Sequence, residues 1–265
     1  MSEGIQYDEA WGQRLVKIYS TSDVVKQRKI ILSALNLQSN ERILDIGSGP
    51  GLLVEDMATI IGSNGLICGI DISKDMITLS QKRCSHLPQV ELREGDATSL
   101  PYDNEEFDVA VSTQVYEYIE DIQLCLKELY RVLKPGGRAL ILCTDWDTLL
   151  WNTGDRKRMR RILTTFESHC ADPRLPRTIA PKLQEVGFDL TKHDVYTMLN
   201  PKYDENTYSH GIIDLIASYV SGKNDITEVE TKAWVDELRE KGRVGTYFFS
   251  ISRYIFSVSK SGAIV

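Results

Sequence analysis

The chain of 265 residues is 42% hydrophobic and 26% charged, enough to bury a sizeable core without disulfides or a structural metal. Its 31 basic against 38 acidic side chains give a formal net charge of −7, the wrong sign for a non-specific nucleic-acid binder. With no run of about 18 apolar residues and no basic leader before an apolar stretch, the expectation is a cytoplasmic chain, neither spanning a membrane nor exported. Cys68, Cys84, Cys125, Cys143 and Cys170 are scattered, without a C-x-x-C pair, and read as small hydrophobes of a reducing compartment. His86, His169, His193 and His210 lack metal-ligand spacing, so no metal is expected.

In chain order, apolar residues from Tyr7 to Leu37 recur at helical spacing and predict two or three short helices broken near Thr21 and Ser22. From Arg42 strands alternate with helices: Arg42 to Ile46, a helix from Leu52 to Ile61, Leu66 to Ile70, and a helix capped by Ser73. Strands Val90 to Arg93 and Phe107 to Ser112 follow, then a helix carrying Leu124, Leu126, Leu129 and Leu133 that Lys134-Pro135-Gly136-Gly137 should stop, then a strand from Arg138 to Cys143. Successive βα units predict an α/β fold: a Rossmann-like, doubly wound, mostly parallel sheet. Past Thr144 a helix from Ala180 to Val186, a strand from Leu190 to Tyr196, helical stretches near Ile212 to Val220 and Glu228 to Arg239, and a last strand from Tyr247 to Val258 are expected. The run Arg156, Lys157, Arg158, Arg160, Arg161 reads as a solvated helix face, with an electropositive lip as the alternative. The implied organisation is a helical cap over residues 1–35 and a core over 36–265, with substrate-side insertions at about 145–176 and 197–245.

The sharpest local signal is Leu44-Asp45-Ile46-Gly47-Ser48-Gly49-Pro50-Gly51, at the end of a strand and opening a helix. A tight turn of this kind lets a ligand approach the backbone closely and offers it the free N–H groups of a helix start. Asp71 ends the next strand, where a carboxylate can pair with ribose hydroxyls. A dinucleotide turn needs Gly at the sixth place of G-x-G-x-x-G, and that place is Leu52.

The pattern resembles instead the class I S-adenosylmethionine-dependent methyltransferases, in particular their small-molecule branch of ubiquinone- and sterol-type enzymes. Further matches follow in order: Gly69-Ile70-Asp71-Ile72-Ser73 with Met76, Gly95-Asp96-Ala97, Leu100-Pro101, Phe107-Asp108, and Arg131-Val132-Leu133-Lys134-Pro135-Gly136-Gly137. The resemblance implies a seven-stranded sheet and S-adenosyl-L-methionine as cofactor. It assigns the methionine part to Asp45, Gly47, Ser48, Gly49 and Gly51, and the ribose to Asp71. Ile72 and Met76 would wall the adenine, Asp96 and Ala97 would read its edge, and Gln114 would lie beside the methionine end. Adenine has a flat apolar face and a polar edge, which two aliphatic side chains and one carboxylate complement. Many relatives carry His near Glu117, so a familiar base is missing. Arsenite is disfavoured as substrate because the cysteines fall within predicted elements.

The implied reaction is in-line methyl transfer to an O, N or C nucleophile of a small molecule, carried largely by alignment and exclusion of water. A base is needed only if the nucleophile loses a proton; Glu117, Asp145, Asp147, His210 and Tyr247 are candidates, with Glu117, Asp145 and Tyr247 foremost. Tyr7, Trp11, Trp146, Trp151, Tyr208 and His210 are the candidate substrate contacts, with Phe248 nearby; Trp234 and Phe256 read as core. The expected partner is a small-molecule acceptor, with no nucleic acid and no membrane, in a monomer or homodimer. The alternatives are a macromolecular acceptor such as RNA or protein, and a non-methylating cyclase or decarboxylase that keeps the cofactor.

Overall fold

The computed structural model describes residues 9–262, with side chains from residue 12 onward. Two helices, α1 (Glu9–Tyr19) and α2 (Ser22–Leu35), precede the sheet. Then come β1 (Arg42–Ile46), α3 (Leu52–Ile61), β2 (Leu66–Asp71), α4 (Lys74–Arg83), β3 (Val90–Glu94), β4 (Phe107–Thr113), α5 (Ile122–Val132) and β5 (Leu133–Trp151). The second half holds α6 (Arg156–Glu167), α7 (Ile179–Val186), β6 (Phe188–Asn200), α8 (Tyr208–Val220), α9 (Glu228–Arg243) and β7 (Phe249–Lys260).

The seven strands form one sheet in the order β3-β2-β1-β4-β5-β7-β6. All neighbours are parallel except β7, which runs antiparallel to both β5 and β6. The order reverses between β1 and β4, and an open α/β sheet offers its binding crevice at such a switch point. This is the Rossmann-like fold with helical additions.

Side-chain alternation builds two cores from the same strands. Leu44, Ala110, Ile141 and Phe256 face α5 and α7, while Ile43, Val109, Leu140 and Ile255 face α2 and α3. Helix α5 fits its site because Cys125, Leu126, Leu129 and Val132 fall on one buried face, and the Asp121 carboxylate caps its start by accepting the N–H of Leu124 at 3.0 Å. A third core lies beyond the strand ends, where Ile18, Trp146, Phe166, Ile212, Trp234 and Phe249 bring together α1, β5, α6, α8, α9 and β7.

Two expectations need correction. Leu133 leaves the helix and pairs with Phe107, because Pro135 and Gly136, at φ +80°, turn the chain into the strand rather than into a loop. Strand β5 also continues past Cys143: Thr144 and Asp145 pair with Arg253 and Ser252, and after an irregularity Leu150 and Trp151 pair with Ser250 and Phe249. The start of the supposed insertion at 145 therefore belongs to the sheet, as do residues 197–200, which complete β6. In the basic run, Arg156, Lys157, Arg160 and Arg161 are exposed, as on a solvated helix face, while Arg158 and Arg161 also pair with Glu237 (2.5 Å) and Glu230 (2.9 Å) of α9.

Candidate active site

The turn after β1 is fixed from two sides. The N–H groups of Gly47 and Ser48 both donate to the carbonyl of Ile70 at 2.8 Å, which ties the turn to β2. The Gly49 N–H donates to Asp71 Oδ2 at 2.8 Å and the Ser73 N–H to Oδ1 at 2.9 Å. One carboxylate thus orders the glycine turn and the entry to α4, where the Ser73 hydroxyl accepts from Met76 N. Gly47 and Gly49 have φ of +75° and +51°, a region that disfavours side chains, yet their surroundings differ. A Cβ on Gly47 would lie 2.1 Å from Val115 Cγ2, whereas one on Gly49 would meet no atom within 4 Å. The open side of Gly49 is the place where a ligand can reach the backbone.

That side faces a cavity of about 280 Å³. Gly47, Ser48, Gly49, Asp71, Ile72, Met76, Asp96, Ala97 and Gln114 all line it. Gly51, at the start of α3, does not, because it packs on Ser80 of α4. Asp45 is buried and does not line the cavity either. Burial pushes its carboxyl up to about 7, with the neighbouring Asp71 carboxylate adding to the shift. Asp71 is itself raised by burial, opposed by the N–H groups of Ser73 and Gly49. The Ser48 hydroxyl is buried against Gly69 without a hydrogen-bond partner. Tyr19, Gln27 and Arg28 from the two leading helices close the cavity opposite the strands, together with Tyr118. None of these was singled out from the sequence, because the helical period predicts burial and not which buried residue borders a cleft.

A second chamber of about 40 Å³ meets the first at Leu15, Tyr19, Gln114 and Tyr118, which line both. Trp146, Phe166, His169 and Tyr208 supply its aromatic wall, and Ile212 and Leu215 its aliphatic one. His169 is 4% exposed, stacks on Phe166 at 4.0 Å and meets the Trp146 ring edge at 4.7 Å. Its Nδ1–H donates to the Phe166 carbonyl, which leaves Nε2 as an acceptor. Burial lowers its pKa to about 4, opposed by that carbonyl, so the ring is neutral. In the sequence His169 drew notice only for lacking metal-ligand spacing; α6 and the turn after it bring it beside Trp146.

Several candidate positions lie elsewhere. Glu117 is fully buried and lines neither cavity; its Oε1 accepts the Thr144 N–H at 3.2 Å, and burial raises its pKa to about 7 against the pull of that N–H and of Arg253. Asp145 is 3% exposed, and Arg177 occupies both its oxygens, at 2.8 and 3.0 Å. Asp147 pairs with Arg174 and Arg177. Tyr247 and Trp151 face the third core and not the cleft: the Trp151 indole N–H donates to the Tyr247 hydroxyl at 2.9 Å, and its ring packs on Trp234 and Phe249. His210 rests on Tyr203 outside both cavities. Tyr7 and the side chain of Trp11 lie outside the described residues. Of the proposed bases, then, none lines either cavity; of the proposed substrate contacts with described side chains, Trp146 and Tyr208 do. Among the described residues no group of three or more His, Cys, Asp or Glu side chains could hold a metal ion, and no helix is long and apolar enough to cross a membrane.

A family model described as a methyltransferase domain matches residues 44–141, from β1 into β5. That segment of the chain is similar to a methyltransferase domain. Demethylmenaquinone methyltransferase of Staphylococcus epidermidis is 32% identical over 136 residues, which are 51% of this chain and 56% of that protein. An uncharacterized 37.1 kDa protein in a transposon of Streptomyces fradiae is 35% identical over 49% of this chain and 38% of its own length. The chain thus spans about half the length of these relatives, or less. Among solved structures, phosphoethanolamine N-methyltransferase 2 of Haemonchus contortus in complex with S-adenosyl-L-methionine superposes with a TM-score of 0.63 at 17% identity, covering 97% of this chain and 58% of that one. This structural likeness concerns the fold. The matched segment of the domain holds the glycine turn, Asp71, Asp96 and Gln114, whereas Trp146 and His169 lie beyond it.

Proposed function

We propose that the protein transfers a methyl group from S-adenosylmethionine to an O, N or C nucleophile of a small molecule. The observation that carries this reading is the meeting of two cavities at Gln114 and Tyr118: one rimmed by the glycine turn and two carboxylates, the other aromatic. The residues present fit the cofactor, since the open side of Gly49 and the apolar pair Ile72 and Met76 line one cavity. When bound, the cofactor supplies a methyl group activated by a sulfonium.

The chain's own part is to bind, orient and exclude water. Asp71 keeps a lone pair on each oxygen for the ribose hydroxyls while holding Gly49 and Ser73. Ile72, 71% exposed, and the buried Met76 offer adenine an apolar wall, and Asp96 with the Ala97 N–H its polar edge. The turn from Gly47 to Gly51, Asp45 behind it and Gln114 serve the amino-acid end. Helices α1 and α2, with α6, α8 and α9, act as the cap that keeps water from the acceptor, and their shared core gives them the rigidity to do so.

Calorimetry with S-adenosylhomocysteine tests the site, and transfer of labelled methyl to a panel of small acceptors tests the reaction. A folded protein that does not bind S-adenosylhomocysteine overturns the reading. Product formed from an acceptor without release of S-adenosylhomocysteine would make it a cyclase or decarboxylase instead.

A further inference from the structure

Arg253 of β7 is fully buried, and its Nη1 donates to Gln27 Oε1 of α2. Its Nε and Nη2 have no hydrogen-bond partner among the described residues, and its guanidinium carbon lies 4.5 Å from the centre of the Tyr208 ring. Burying a cation without a counter-ion is costly, so what this side chain holds in place matters. A guanidinium only donates, which fixes the Gln27 amide with its oxygen toward Arg253 and its NH2 away. Gln27 is 3% exposed and lines the larger cavity. Its Nε2 has no partner among the described residues and, unlike Arg253 Nε and Nη2, is not sealed from solvent, so it opens onto that cavity.

The cavity is polarised along the sheet. Asp71 ends β2 and Asp96 follows β3, on one side of the switch point, whereas Gln27 is tied to β7 on the other. Arg28, the one cation among the described residues that line the cavity, donates from Nε to Asp56 Oδ2 at 2.9 Å, and Asp56 belongs to the helix that opens from the glycine turn. Two carboxylates at one end, with an amide donor and a guanidinium at the other, complement a ligand that has hydroxyls at one end and an anion at the other.

On the reading that this cavity holds S-adenosylmethionine, we propose that Gln27 Nε2 donates to the carboxylate of the cofactor's amino-acid end while Arg28 supplies positive charge beside it. Arg253 is then a positioning residue that keeps the Gln27 amide turned toward the cofactor. Without it the amide can rotate and present Oε1, which repels a carboxylate. Gln27, Arg28 and Arg253 all lie outside the segment that the methyltransferase-domain model matches. Because Arg253 also lies against Tyr208, one buried side chain supports a wall of each cavity.

The test is calorimetry of the full chain with S-adenosylhomocysteine and with 5′-methylthioadenosine, which keeps the nucleoside and the thioether but lacks the amino-acid end. The unaltered protein should prefer S-adenosylhomocysteine by at least about tenfold. Gln27→Glu keeps the shape and gives Arg253 a carboxylate partner, but it replaces the donor with a negative oxygen. Its affinity for S-adenosylhomocysteine should fall at least about tenfold, with that for methylthioadenosine held within about twofold. A purely structural Gln27 would leave the preference unmoved, since Glu still holds Arg253. Arg253→Met should lower the preference about threefold, and Arg253→Lys, which can still donate to Oε1, should keep it. In the unaltered protein labelled with ¹⁵N-glutamine, the Gln27 side-chain resonance should move with S-adenosylhomocysteine and not with methylthioadenosine, a result independent of any variant's folding. Equal affinity of the unaltered protein for the two ligands, an unmoved resonance, or a preference surviving in Gln27→Glu would overturn the assignment and leave the cofactor reading standing. A preference unchanged in Arg253→Met would deny Arg253 its positioning role. Failure of the unaltered protein to bind either ligand would overturn the cofactor reading and this inference with it.

Discussion

Asp71 Oδ2 accepts the backbone N–H of Gly49 at 2.8 Å, so the carboxylate that ends β2 also sets the shape of the turn that ends β1. Asp71→Ala removes that bond, the one to Ser73 and the acceptors offered to the ribose. S-adenosylhomocysteine affinity should fall by about 2–4 kcal/mol, read by calorimetry, with the protein still folded by circular dichroism. Unchanged affinity would mean that the site lies elsewhere.

The two glycines of the turn should separate folding from binding. Gly49→Ala places a methyl in open space at a left-handed φ, costing about 1–2 kcal/mol of stability while it obstructs the cleft. Gly47→Ala drives a methyl into Val115 and should destabilise more. Thermal melts with and without S-adenosylhomocysteine should show ligand stabilisation lost in Gly49→Ala beside a small drop in the ligand-free Tm, and a larger drop in Gly47→Ala.

Asp45 gives a pH dependence whose sign can be worked out. Its carboxyl is raised from 3.8 to about 7 in the folded protein, so the folded state holds a proton that the unfolded state has released. The stability associated with Asp45 is full below about pH 4 and is lost as pH rises through about 7, on the order of 4 kcal/mol. Glu117, raised from 4.5 to about 7, acts in the same direction. Asp45→Asn should flatten the ligand-free melting profile between pH 5 and pH 8. Because a cationic ligand favours the ionised carboxylate, binding of S-adenosylmethionine near pH 6.5 should release protons, detected by calorimetry in buffers of different ionisation enthalpy.

Tyr247→Phe tests the placement of that side chain in a core. It strips the Trp151 indole N–H of its buried partner and should lower stability by about 1–3 kcal/mol in a denaturant titration, with S-adenosylhomocysteine affinity unchanged. Weakened binding would return Tyr247 to the site.

Leu15 and Tyr19 of α1 border both cavities, so ligand binding should be felt there. Amide exchange in α1 and α2 should slow when S-adenosylhomocysteine is added, while the start of β6, at the edge of the sheet away from the cavity, stays unchanged. Equal exchange in α1 with and without ligand would deny it a capping role.

The cofactor side was legible in the sequence because it is written in backbone terms. Gly47 to Gly51, Asp71 and Asp96 occupy strand ends, and the βα alternation alone brings strand ends to one rim. The aromatic side was not, because no short stretch encodes it: Trp146 comes from the far end of β5, His169 from the turn after α6, and Tyr208 from the start of α8. Trp146 and Trp151 both belong to β5, and Trp151 packs on Trp234 of α9 while Trp146 lines the aromatic chamber. Glu117 and Asp145 looked available as bases because sequence position reports nearness to a cleft, whereas burial behind Thr144 and capture by Arg177 arise from residues distant in the chain.

The last described strand is not at the edge of the sheet. β7 lies between β5 and β6, and among the described residues β6 has no other strand to pair with. During synthesis β6 leaves the ribosome first, then residues 201–248 with both helices of that stretch, and only then Phe249–Lys260. Until that segment arrives, two strands expose unsatisfied backbone edges that can join those of other nascent chains. Pairing of β7 therefore follows that of β1 to β5, and slowed synthesis of Phe249–Lys260 should raise the yield of aggregated protein without altering the folded product.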